Sequence, residues 1–71
     1  MLSTNDFIRI AAAGGGLDLR NVSLPVDDLI RIAAAASGGK ANILLNGLGH
    51  QSEDLMRIAA AGGGCVTFYF D

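Results

Sequence analysis

Apolar residues recur along this chain with two alternating periods. In three places the spacing is helical: Phe7, Ile10 and Ala11 stand at i, i+3 and i+4, as do Leu29, Ile32, Ala33 and Leu55, Ile58, Ala59. Between and after them come stretches with a strand-like pattern, Leu17 to Val22, Ala41 to Leu48 and Cys65 to Phe70. Ile43-Leu44-Leu45 is a continuous apolar run, as a central strand would carry. The last stretch alternates and is rich in β-branched and aromatic residues. Glycines separate each helix from the strand after it, at Gly14 to Gly16, Gly38 and Gly39, and Gly62 to Gly64.

The helical segments are copies of one another. Asp6-Phe7-Ile8-Arg9-Ile10-Ala11-Ala12-Ala13 returns as Asp28-Leu29-Ile30-Arg31-Ile32-Ala33-Ala34-Ala35 after 22 residues. It returns again as Asp54-Leu55-Met56-Arg57-Ile58-Ala59-Ala60-Ala61 after a further 26. The sequence therefore divides into three helix–strand units, about 3–23, 24–48 and 50–71, in one domain spanning 1–71. Helices alternating with strands predict parallel pairing through right-handed crossovers. Two such crossovers in one direction put all the helices on one face of a three-stranded sheet and leave the other face open. Leu17, Leu19, Ile43, Leu45, Val66, Phe68 and Phe70 are then expected against the helices. Asp18, Arg20, Asn42, Leu44, Asn46, Thr67, Tyr69 and Asp71 are expected on the open face. Ile8, Ile30 and Met56 form a second apolar position at the helix flank, suited to a neighbouring helix in a stacked array. Local signals place helix starts at Ser3 or Thr4, at Pro25 and at Ser52.

The unit resembles a leucine-rich repeat of the strand-plus-helix type. Leu17-Asp18-Leu19 through Val22 and Leu24, then Leu29 and Ile32-Ala33, carry the likeness in one copy. Ile43-Leu44-Leu45 through Leu48, then Leu55 and Ile58-Ala59, carry it in the next. Val22 and Leu48 stand where that family usually has a turn asparagine. The resemblance implies a small solenoid that binds a partner through its exposed sheet face.

Composition narrows the function. Seventy-one residues make one small domain, and 51% of them are hydrophobic, much of that alanine. The net charge is −2, and Arg9, Arg20, Arg31, Lys40 and Arg57 are dispersed, so no basic stripe for nucleic acid is present. A single cysteine, Cys65, allows no internal disulfide. No apolar run approaches a membrane span, and the first residues lack the pattern of a secretory signal, so a cytoplasmic protein is expected.

Several motifs invite chemistry. The glycine triplets follow helices, the wrong polarity for a phosphate loop, and read as helix-terminating turns. Gly47-Leu48-Gly49 follows a strand and leads to Ser52 at a helix start, the right polarity for an anion. Gly47, Gly49 and Ser52 are the candidate anion site, against a plain strand-to-helix turn. His50 has no second histidine or cysteine cluster to share a metal, and no cofactor is implied. Asp6/Arg9, Asp28/Arg31 and Asp54/Arg57 are spaced for surface ion pairs. Cys65 follows a helix C-terminus, where a thiol is not activated, and reads as a packing residue. The uncharged segment Cys65 to Phe70 is a terminal strand, expected either in the core or pairing with its own copy as a homodimer. No base, nucleophile and stabilising group can be assembled, so the expectation is a non-catalytic protein-interaction or structural module. Its contact residues are expected to be Arg20, Leu44, Asn46 and Tyr69, with anion or nucleotide binding at Gly47 to Ser52 as the alternative.

Overall fold

The computed structural model describes residues 2–71. Three helices and three strands alternate: α1 Thr4–Ala12, β1 Leu17–Asp18, α2 Val26–Gly39, β2 Ile43–Asn46, α3 Ser52–Gly62 and β3 Val66–Tyr69. The strands form one parallel sheet in the order β1-β2-β3. Leu17 lies opposite Ile43, which lies opposite Val66, and Asn46 lies opposite Tyr69. Each octamer falls within or across the end of one helix, and α2 packs against both α1 and α3.

Each helix begins for a local reason. Ser3 caps α1: its Oγ accepts from the Asp6 N–H at 3.3 Å, and the Asp6 carboxylate accepts from the Ser3 N–H at 2.9 Å. These bonds, first the one from the Ser3 backbone, hold the Asp6 carboxyl below its usual value. Thr4 is then free to reach α2, where its hydroxyl donates to Asp28 at 3.2 Å. Pro25 caps α2 with extended backbone. Gln51, not Ser52, is the N-cap of α3; Ser52 is its first helical residue and makes no capping bond.

Of the glycines that follow the helices, Gly38 and Gly39 depart from the turn expected of them. α2 runs straight through Gly38 and Gly39, and Lys40 takes the left-handed position with φ 57°. Gly39 is needed for another reason: a Cβ there would collide with the Ala11 and Ala12 carbonyl oxygens at the end of α1. It lets two helices approach closely. α1 and α3 end as expected, α1 with Gly14 at φ 96° directly after its cap residue Ala13, and α3 on Gly63 with φ 53°.

The strands are shorter than the alternation predicts. Asp18 accepts from the Arg20 backbone N–H, and Val22 N–H turns back to the Leu19 carbonyl, which bends the chain out of β1. Asn46 Oδ1 takes the Leu48 N–H at 2.9 Å and ends β2 in the same manner. The ladder still extends past the regular strands through Leu19 N–H to Leu44 O at 2.9 Å and Gly47 N–H to Tyr69 O at 2.7 Å.

The core joins Phe7, Ala11, Leu29, Ile32, Ala33, Ala36 and Ile58 of the helices to Leu19, Ile43 and Leu45 of the sheet. Burial alternates along β2: Ile43 and Leu45 are buried, Leu44 and Asn46 half-buried. Val66 and Phe68 pack at the edge of the core, and Val66 touches Gly62 at the end of α3. Phe70 departs from expectation. It is 59% exposed, and its ring lies over Gly47 rather than under a helix. Two of the three expected ion pairs form, Asp28–Arg31 at 4.0 Å and Asp54–Arg57 at 3.6 Å. Asp6 is committed to Ser3 instead.

Candidate functional site

The four expected contact residues come together on the sheet surface away from Ile43 and Leu45. Leu44 and Asn46 alternate with those buried residues on β2, and Tyr69 lies opposite Asn46 on β3. Arg20, just beyond β1, reaches across the middle strand. Its guanidinium carbon sits 4.5 Å from the centroid of the Tyr69 ring.

Asp18 makes that reach possible. Arg20 Nε and Nη2 each donate to an Asp18 carboxylate oxygen at 2.9 Å, a bidentate pair. The guanidinium is bonded to Asp18 while its carbon sits over the Tyr69 ring. These side-chain bonds, followed by the Arg20 backbone bond, lower the Asp18 carboxyl, and the same partner raises Arg20. Arg20 and Asp18 remain substantially exposed, with side chains 39% and 52% accessible. Their pairing is therefore worth little in stability. Its effect is to fix the orientation of a planar cation on an aromatic ring. Asp18 belongs to the site, and its strand alternation with Arg20 is the sequence signal that points to it.

A cleft opens at the C-terminal ends of β1 and β2. About 280 Å³ in volume, it is lined among others by Arg20, Asn46 and His50, with Val22 and Leu48 exposed at its rim. Open parallel sheets bind ligands at this end. Of the loop from Gly47 to Ser52 only Leu48 and His50 line the cleft, and the loop has spent much of its hydrogen-bonding capacity. Leu48 N–H goes to Asn46 Oδ1, and His50 N–H goes to the Gly47 carbonyl at 3.3 Å. The Phe70 ring occupies the space beside Gly47. Glu53 and Asp54 place negative charge in the first turn of α3.

No known protein family, curated protein or solved structure matches this chain.

Cys65 is half-buried against the core, where its backbone serves the ladder: its carbonyl accepts from Ile43 N–H at 2.8 Å. Among the described residues no three His, Cys, Asp or Glu side chains gather where a metal ion could sit, and no helix is long and apolar enough to cross a membrane.

Proposed function

We propose that this protein is a non-catalytic interaction module, a small solenoid similar to leucine-rich repeats, with its helices on one face of the sheet and its contacts on the other. The observation that carries the reading is the Arg20–Tyr69 stack at 4.5 Å, braced by Asp18 and set beside half-buried Leu44. Arginine and tyrosine are the side chains that most often dominate binding energy at protein surfaces. Here they are held in one geometry before any partner arrives, which lowers the entropy lost on binding. The mixed character of the patch suits a protein partner that offers a carboxylate to Arg20 and an apolar group to Leu44.

The test is affinity capture with the native chain and with an Arg20→Ala/Leu44→Ala/Tyr69→Ala variant whose fold is verified by circular dichroism. Loss of the captured partner supports the reading. A partner retained undiminished by the triple variant removes this face as the site.

Anion or nucleotide binding at Gly47, Gly49 and Ser52 is the competing reading, favoured by the strand-to-helix polarity of the loop, although the cleft at the strand ends is lined by Leu48 and His50 and by none of these three. The internally bonded N–H groups and the two acids of the first α3 turn weigh against it. Chemical-shift changes at Gly49 and Ser52 on adding phosphate or nucleotide would support it, and a flat titration would eliminate it.

A further inference from the structure

The repeat aligns every position of one helix with a position in the next, so burial can be compared at fixed sequence context. On the flank that faces the following helix, Ala11 in α1 and Ala33 in α2 are completely buried. Their counterpart in α3, Ala59, is exposed. Ile8 and Ile30 pack against the core, whereas their counterpart Met56 is 69% exposed. Thr4 and Val26 are half-buried and Ser52 is exposed.

The opposite flank shows the mirror pattern. Ile32 in α2 and Ile58 in α3, each with a helix before it, are completely buried, while Ile10 in α1 is only half-buried. Ala35 and Ala61 pack at the core edge, and Ala13 is exposed. Leu2, 55% exposed, extends this uncovered flank of α1, and a shallow surface runs over Leu2, Ile10 and Ala13, flanked by Asp6 and Arg9. A second shallow surface runs over Met56 and Ala60 on α3, flanked by Glu53 and Arg57. The two bare flanks are the two halves of the junction that the chain builds twice internally.

We infer that a second copy of this chain stacks head to tail on the first, the Met56 flank of α3 on one copy covering the Leu2–Ile10–Ala13 flank of α1 on the next. The inference rests on the stacked-unit reading above but not on the Arg20–Tyr69 face. The chain's own junctions supply the occupant. Thr4 Oγ1 donates to Asp28 across the α1–α2 junction at 3.2 Å; at the two ends the same positions are Ser52 and Asp6, whose carboxylate already accepts from Ser3. Both outer strands, β1 and β3, run parallel to β2, so the same step continues the ladder from β3 to the β1 of the next copy. Such an interface is heterologous. Each copy added leaves a fresh bare flank, so growth does not stop at a dimer unless the array closes into a ring.

Two exposed positions test this without disturbing the core: Met56→Glu blocks the α3 flank, and Ala13→Glu blocks the α1 flank. In sedimentation velocity from low micromolar to millimolar concentration, the native chain is expected to grow past twice the monomer mass. Each variant alone is expected to stay monomeric with an unchanged circular dichroism spectrum. Their equimolar mixture retains one open α3 flank and one open α1 flank, and is expected to form a dimer and stop there. A native chain that remains monomeric throughout overturns the proposal. So does an Ala13→Glu variant that still dimerises, which would indicate symmetric pairing through α3 or the β3 edge, and so does a mixture that fails to associate. The Arg20/Leu44/Tyr69 triple variant should associate as the native chain does, which separates this result from that of the sheet face.

Discussion

Ala33 in α2 is sealed from solvent, and Ala59, at the same place in the same octamer of α3, is exposed. The two helices share sequence and differ in neighbours: α2 has a helix on each side, and α3 has one. On the proposed stacked-unit reading, a residue's contribution follows its place in the stack more than its identity. Repeat arrays behave this way because each unit gains stability chiefly from the interfaces it shares.

Substitutions can sharpen that contrast. The largest effect is expected at Ile32, completely buried between units. Ile32→Ala should lower the unfolding free energy by about 2–5 kcal/mol in denaturant titrations. Met56→Ala, made at the same dilute concentration, should change it by less than about 0.5 kcal/mol. Equal losses at the two positions would end the comparison.

Neighbouring glycines offer a second contrast. Gly39 abuts the α1 carbonyls, so Gly39→Ala must push two helices apart and is expected to cost about 1–3 kcal/mol. A Cβ at Gly38 meets nothing, and alanine is the better helix former, so Gly38→Ala should raise stability by about 0.5–1 kcal/mol. The same melting experiment reads both, and matching signs would mean that the α1–α2 approach is not what selects glycine at 39.

The cap of α1 should matter less. Ser3→Ala removes the side-chain half of the capping box, leaving the backbone N–H at position 3 to the Asp6 carboxylate, and is expected to cost about 1 kcal/mol, seen as fraying of α1 by hydrogen exchange. The smallest effect is in acid. Asp6 and Asp18 have folded values below the ordinary 3.8, so their stabilisation is complete above the unfolded-state value and is lost as pH falls through the lowered ones. Melting temperature should therefore fall slightly below about pH 4, and less in an Asp6→Asn variant.

The helices were legible because the octamer names them three times, and the parallel order followed from alternation and crossover handedness. The strand ends were not. Asp18 and Asn46 use their side chains to capture N–H groups two residues on, which competes with the ladder only once the chain has turned. Gly38 and Gly39 looked like a terminator because the close approach that needs Gly39 lies on another helix. Gln51, extended and without a side-chain cap bond of its own, stands at the N-cap position expected of Ser52, a shift of one residue that the side-chain types do not signal. Within the candidate site, Arg20, Leu44, Asn46 and Tyr69 could be assigned to one face by alternation alone. That Arg20 crosses the middle strand to Tyr69, with Asp18 as its brace, depends on the inter-strand register, which no local pattern specifies.

Native-state hydrogen exchange at dilute, monomeric concentration tests the central claim most directly. If stacking sets stability, amides of α2 and β2 should exchange more slowly than those of α3 by roughly tenfold or more, because α2 opens only when a neighbour leaves. Protection in α3 equal to or above that in α2 would contradict the account.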